Sequence, residues 1–159
     1  MARWGVGAAG GDMATTYSRA LPSATHPLHV LLGAYPIACF SGAFLTDIVY
    51  MNTAVMMWAN FSVWLITAGL VMGGAAAIVG IVEAVMTKGN RALRPGWVHS
   101  IGNALVLVLS LWNVFVHSRD AWTSVVPTGI ILSGIVTVLV IVVNWFGTTH
   151  TMRQLAGEA

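Results

Sequence analysis

Four long apolar stretches, separated by short polar segments, dominate the pattern of this chain. They cover about residues 27–50, 58–86, 97–117 and 125–145. Each is close to the roughly 20 apolar residues that a helix needs to cross the hydrocarbon layer of a membrane. Because the connections are short, neighbouring helices are expected to run antiparallel. The pattern therefore predicts an all-α integral membrane protein, a four-helix bundle in up-down-up-down order.

The four stretches form one predicted domain with a tail at each end. Residues 26–150 make up the predicted transmembrane domain, and residues 151–159 a short C-terminal tail. Residues 1–25 contain no compact apolar segment of the kind that signal peptides carry. We therefore expect an N-terminal tail there rather than a cleaved leader.

The composition agrees with a membrane protein and narrows the chemistry. Hydrophobic residues make up 57% of the chain and charged residues 8%, whereas soluble domains carry about 25% charged residues. The sequence has neither a phosphate-binding glycine loop nor a basic-aromatic stripe, and we expect no nucleic-acid partner. The single cysteine, Cys39, cannot form an intramolecular disulfide, and without a CxxCH motif no c-type haem is expected.

The basic residues predict how the chain is oriented in its membrane. Four spans place both termini and the connection between the second and third helices on one side. Cytoplasmic segments are enriched in Lys and Arg. Only Arg119 falls on the opposite side, and six basic residues fall on the side of the termini: Arg3, Arg19, Lys88, Arg91, Arg94 and Arg153. We therefore expect both termini in the cytoplasm.

Several ionisable residues are predicted to meet at the basic side of the bundle. His26 and His29 stand at the start of the first helix, Glu83 near the end of the second, and His99 in the first turn of the third. Asn103 lies one turn after His99 on the same helical face. Because ionisable side chains at membrane depth are costly, each is a candidate for a functional site.

Three interpretations of this cluster stay open. His99 and His29, with His26 as the substitute for His29, could be the axial ligands of a b-type haem between facing helices. Alternatively, His26, His29, Glu83 and His99 could bind a single zinc or iron ion. The third interpretation is a polar structural cluster without a metal. Three small residues near this level would leave room for a macrocycle: Gly33, Gly80 and Gly102.

The opposite side of the bundle carries a second, smaller set of polar residues. Asp47 lies near the end of the first span, and His117 and Arg119 follow the end of the third. Asp47 could pair with either of them. We expect this set to be a solvated pair of loop residues rather than a site.

The opening of the predicted domain resembles that of a known family. His26-Pro27-Leu28-His29, followed by Pro36 and then Asp47, is similar to the start of a four-helix bacterial membrane family catalogued as domain of unknown function 2231. The resemblance covers about residues 26–147, which is nearly the whole hydrophobic body.

The resemblance continues in the second and third helices. The second helix is glycine-rich and ends near an acidic residue, and the third carries His99-x-x-x-Asn103. Glu83 stands where the family more often has Asp, which keeps a carboxylate but lengthens its reach. His26, His29, His99 and Asn103 match the family pattern residue by residue.

The resemblance implies topology more than chemistry, because the activity of the family is not established. Its members often occur near or joined to redox proteins, including quinoprotein-type sugar dehydrogenases and cytochromes. This implies a membrane electron-transfer or anchoring role. Together with the convergence of His26, His29 and His99 at one level, it favours a small haem-binding subunit of the bacterial inner membrane that passes electrons between a redox partner and quinone, rather than a stand-alone enzyme. Asn103 and Glu83 would then orient the ligating imidazoles.

The alternative function is a non-catalytic membrane anchor or assembly subunit of a larger membrane complex. Small size and short loops favour it. So does the face formed by Gly69 and Gly73 on the second helix, since small residues at this spacing let another helix approach closely. A metal-ion or proton carrier is the weakest alternative, because the centres of the third and fourth helices contain few polar residues.

Overall fold

The computed structural model describes residues 27–86, 97–119 and 121–155. These residues form four long α-helices and one short 3-10 helix, with no strand among them. Each long helix is long and apolar enough to cross a membrane. The prediction of an all-α, four-helix membrane protein is thereby confirmed. The helices are α1 (Pro27–Thr53), α2 (Met56–Met86), α3 (Trp97–His117) and α4 (Thr128–Leu155), and the 3-10 helix is Ala121–Ser124.

The four helices pack as a closed ring. α1 packs against α2 and α4, and α3 packs against the same two helices, so that α1 and α3 lie diagonally across the bundle. Only Ala54 and Val55 connect α1 to α2, which makes these two helices an antiparallel hairpin. Side chains that join α1 to α3 must therefore meet at the centre of the bundle.

The bounds of α4 differ most from the prediction: the helix ends at Leu155, ten residues after the predicted end at about residue 145, and takes in residues 151–155 of the predicted C-terminal tail. The apolar pattern places the helix start at about residue 125, whereas α4 begins at Thr128. The backbone N–H groups of Val125 and Val126 donate to the carbonyl of Trp122 and close a turn. Pro127 has no N–H to donate. The hydrophobic pattern correctly predicts that Val125 is buried. It does not distinguish a buried residue of a turn from a buried residue of the helix.

The middle of the bundle is an apolar core that draws on every helix. Phe40 and Ala43 come from α1, Ile66 from α2, Val106 from α3, and Val136 with Val140 from α4. This layer separates the two ends of the bundle interior. Large apolar side chains also cover the outer faces, where the surrounding lipid of a membrane would meet them.

The small-residue face of α2 is used within the chain. A methyl group at Gly69 would lie 2.7 Å from the ring of Phe40, and one at Gly73 would lie 2.9 Å from the side chain of Leu107. These two glycines therefore let α1 and α3 pack closely against α2. The face that favoured a docking partner in the sequence is already covered by this protein's own helices.

The α1–α2 turn contains a residue in the left-handed backbone conformation. Ala54 has φ of 54°, and its N–H donates to the carbonyl of Tyr50 at 2.7 Å. The left-handed conformation costs a residue with a Cβ about 1–2 kcal/mol. Glycine would avoid this cost. Its greater conformational freedom in the unfolded chain would, however, lower the free energy of unfolding by about 0.5–1 kcal/mol.

Replacing Ala54 with glycine is therefore expected to stabilise the protein by about 0.5–1 kcal/mol. Equilibrium unfolding in mixed detergent micelles would measure the change. Ala68→Gly, at an exposed position inside α2, is the matched control and should destabilise by about 1 kcal/mol. Equal losses at both positions would contradict the prediction.

Candidate functional site

A buried carboxyl–imidazole pair crosses the centre of the bundle. Asp47 Oδ1 of α1 lies 3.1 Å from His117 Nε2 of α3, and both side chains are fully buried. The two helices are diagonal neighbours, so this contact ties opposite corners of the ring together. The expectation of a solvated loop pair is wrong, because α1 and α3 both extend far enough to carry the two groups inside the bundle.

The hydrogen bonds of His117 determine how many protons the pair holds. His117 Nδ1 lies 3.0 Å from the backbone carbonyl of Asn113. A carbonyl oxygen only accepts, so Nδ1 carries a proton. The Nε2–Oδ1 contact then needs one further proton, on either the ring or the carboxyl group. The pair shares that proton and is electrically neutral whichever atom holds it.

Hydroxyl and amide groups surround the pair. Asn113 Nδ2 donates to Ser133 Oγ of α4 at 2.9 Å. The hydroxyls of Thr46 on α1 and Ser62 on α2 lie 2.7 Å apart and are also buried. Together with Asp47–His117 and the buried hydroxyl of Ser110 on α3, these groups form a polar layer to which all four helices contribute. We call it the Asp47 layer.

Three buried polar atoms of this layer have no hydrogen-bond partner within the described part of the chain. They are Asp47 Oδ2, Ser110 Oγ and Asn113 Oδ1. An unpaired polar atom in a buried position costs about 1–3 kcal/mol. Ser110, Asn113 and His117 share one face of α3, since they follow at intervals of three and four residues.

The other described polar site lies at the start of α3. Asn103 Nδ2 lies 3.0 Å from His99 Nε2, and His99 Nδ1 lies 3.2 Å from the carbonyl of Val143. Since the amide nitrogen donates and the carbonyl accepts, His99 is protonated on Nδ1 and presents the lone pair of Nε2. The predicted neighbourhood of His99 and Asn103 is confirmed.

Glycines of α4 and α3 make this site compact. The ring of His99 lies against Gly147, where a methyl group would stand 2.5 Å from Nδ1. Likewise, a methyl group at Gly102 would lie 2.5 Å from the side chain of Val143. Gly102 therefore allows α3 and α4 to pack closely and does not leave room for a macrocycle. At Gly33 a methyl group would meet no atom within 4 Å.

The structure does not describe the side chains of the remaining residues of the predicted metal site. His26 lies outside the described residues, and so do the side chains of His29 and Glu83, whose backbone is helical. Within the described part of the chain, no three His, Cys, Asp or Glu side chains lie close enough to hold a metal ion. The haem and the zinc or iron site therefore stay predictions.

The apolar core separates the two polar sites. Asn103 and Ser110 are seven residues apart on α3, about 10.5 Å along a helix axis, and Val106 is buried between them. The Asp47 layer and the His99 site therefore lie at different depths, with apolar side chains of all four helices between them.

A bundle of four apolar helices with two internal polar sites is a multi-pass membrane protein. The family described as "Predicted membrane protein (DUF2231)" matches residues 25–158, and the chain belongs to that family. The resemblance noted in the sequence is thereby confirmed. No curated protein and no solved structure matches the chain. The family description names a membrane location but no activity.

Proposed function

We propose that this protein is a small haem-binding subunit of the bacterial inner membrane that passes electrons between a redox partner and quinone. The observation that carries the proposal is the geometry of His99. Its Nδ1–H is held by the carbonyl of Val143, and its Nε2 lone pair is directed away from that bond. Imidazoles that ligate metals commonly have one nitrogen fixed in this way and bind the metal with the other.

Binding at His99 would need one local change. Asn103, a neutral amide on the same helix, occupies Nε2 in the described arrangement. Iron at Nε2 would replace this hydrogen bond, and the Asn103 side chain would rotate away. A single neutral hydrogen bond contributes about 0.5–1.5 kcal/mol, which a metal–ligand bond can readily exceed.

The second ligand would come from the start of α1. α1 and α3 run in the same direction, so His29 begins its helix at the same end of the bundle as His99. His29 is the proposed second axial ligand, with His26 as the substitute. A single zinc or iron ion bound by His26, His29, Glu83 and His99 is the other form of the proposal.

Two further features suit quinone chemistry. An apolar groove between α1 and α4 runs past Phe44, Ile130, Gly134 and Val142, and such a groove suits a prenyl chain. Quinone reduction takes up protons, and the Asp47–His117 pair of α1 and α3 holds one next to Gly129, the residue before the start of the groove at Ile130. Both termini are proposed to be cytoplasmic, because six of the seven Lys and Arg residues come before α1, between α2 and α3, or in the last turn of α4 in the sequence, and cytoplasmic segments are enriched in these residues.

The first test is the absorption spectrum of the purified protein, oxidised and then reduced with dithionite, with metal analysis of the same sample. His99→Ala is expected to abolish a Soret band that sharpens on reduction. Asn103→Ala is the matched control: it removes the other half of the same hydrogen bond but no ligand, so the band should persist. A His99→Ala spectrum equal to that of the wild type would remove His99 as a ligand.

The second candidate function is a non-catalytic anchor or assembly subunit. Its specific support is the outer surface, where Trp64, Met86 and Trp97 are between 73% and 81% exposed. Large apolar side chains of this kind can meet another membrane protein as well as lipid. A colourless, metal-free protein that purifies in mild detergent as a complex of fixed stoichiometry would favour the anchor over the haem subunit.

A further inference from the structure

We propose that Asp47, Ser110 and Asn113 bind a water molecule beside His117, and that this water makes the proton of the Asp47–His117 pair exchangeable. The inference does not depend on the proposed redox function. It starts from the three buried atoms of the Asp47 layer that have no partner in the described chain: Asp47 Oδ2, Ser110 Oγ and Asn113 Oδ1.

The chemistry of these three atoms matches one water molecule. Asp47 Oδ2 and Asn113 Oδ1 can accept hydrogen bonds, and the hydroxyl of Ser110 can donate one. Water offers two donors and accepts at its oxygen. Buried waters typically make about three hydrogen bonds to groups that would otherwise be unpaired.

The positions of the three residues are consistent with a shared ligand. Asn113 is one turn before His117 on α3, and its carbonyl binds His117 Nδ1. Asp47 Oδ1 binds the other ring nitrogen, and Oδ2 is bonded to the same carboxyl carbon. Ser110 lies one turn further on the same buried face. The unpaired atoms of Ser110 and Asn113 therefore lie one turn apart on the buried face of α3, and that of Asp47 belongs to the α1 residue bound to the same face.

The charge of the layer favours water over a cation. Asp47 and His117 share one proton and are neutral together, so a bound cation would add an unbalanced charge to a buried site. Such a charge costs several kcal/mol in a membrane interior. Water can form hydrogen bonds with the same three atoms without changing the charge of the site.

Water would reach the site from the side of the α1–α2 turn, past the small apolar cluster of Tyr50, Ala59 and Val125. Asp47 is six residues before Thr53, about 9 Å from the end of α1, and His117 is the last residue of α3. On the other side, the apolar core closes the interior with Phe40, Val106 and Val140. The shared proton would therefore exchange with one side of the membrane.

The direction in which one substitution, Ser110→Ala, shifts the midpoint of thermal unfolding tests whether the water is bound. If Ser110 Oγ is unpaired, Ser110→Ala removes a costly group and raises the unfolding midpoint; if it binds water, the variant lowers it by about 2–4 °C. Ser100→Ala, at an exposed position on the same helix, calibrates the loss of a hydroxyl from α3. We expect a lower midpoint for Ser110→Ala than for Ser100→Ala. An unchanged or raised midpoint overturns the proposal.

Water-edited solid-state NMR of the isotope-labelled protein in lipid bilayers detects the water directly. Magnetisation is expected to pass from water to the side-chain amide of Asn113 and the ring of His117. The methyl groups of Ile66 and Val136, which are 1% exposed in the apolar core, define the level without water. Transfer no greater than that level overturns the proposal. So does an unfolding midpoint that rises in sodium chloride but not in choline chloride, because it would assign the site to a cation.

Discussion

Asp47→Ala is expected to destabilise the protein by about 2–3 kcal/mol, the upper part of the range for a buried group that loses its partner. The substitution leaves His117 Nε2 unpaired in a fully buried position and removes the contact between α1 and α3. Interhelical hydrogen bonds in membrane proteins average about 0.6 kcal/mol and reach about 1.7. A loss of stability larger than these values would include the cost of leaving the His117 ring unpaired as well as the lost hydrogen bond. Equilibrium unfolding in mixed micelles measures it.

A double-mutant cycle with His117→Ala separates the two contributions. Because each single variant leaves its partner unpaired, the double variant should lose less than the two single losses together. Asp47→Asn is the matched control, since its amide can still donate to Nε2, and it should lose less than Asp47→Ala. Strictly additive losses would mean that the pair contributes nothing as a unit.

Gly129→Val is expected to have an effect of similar size, about 3 kcal/mol, at the upper end of the range for overpacking. Gly129 lies in the first turn of α4, where even a single methyl group would stand 2.6 Å from the backbone oxygen of Ser124 and 2.9 Å from His117 Cε1. A backbone atom cannot move aside as a flexible side chain can. The strain should therefore displace either the start of α4 or the ring of His117.

Gly74→Val is the matched control for this steric effect. Gly74 is also a helical glycine, on α2, and a methyl group there would meet no atom within 4 Å. Valine has a higher helix propensity than glycine, so this variant should be neutral or slightly stabilising. If Gly74→Val lost as much stability, the effect of Gly129→Val would come from placing valine in a helix and not from the contact with His117.

The helices could be predicted because the information that defines them is local. The apolar runs are long, and α3 begins and ends at the predicted residues, Trp97 and His117. The start of α4 could not be predicted in this way, because Val125 and Val126 are as apolar as the helix that follows. Their backbone hydrogen bonds, not their hydrophobicity, place them in a turn.

Only part of the candidate site could be predicted from the sequence. Counting residues along α3 correctly placed Asn103 beside His99, since a spacing of four is a property of one helix. The burial of Asp47 with His117 depends on how two diagonal helices pack, which spacing along one chain does not determine. A usable signal was nevertheless present: Ser110, Asn113 and His117 form a polar stripe at helical spacing in an otherwise apolar segment.

The two histidines of α3 also fix how far α3 can slide along α4. His99 lies against Gly147 and His117 against Gly129, and the spacing is 18 residues on both helices. A slip of one turn towards the start of α4 would place the ring of His99 opposite Val143 and would move the ring of His117 past the first residue of α4, Thr128. Val143 does not leave the space that Gly147 does. Two imidazole rings, each packed against a glycine of α4, thus fix the register of α3 against α4.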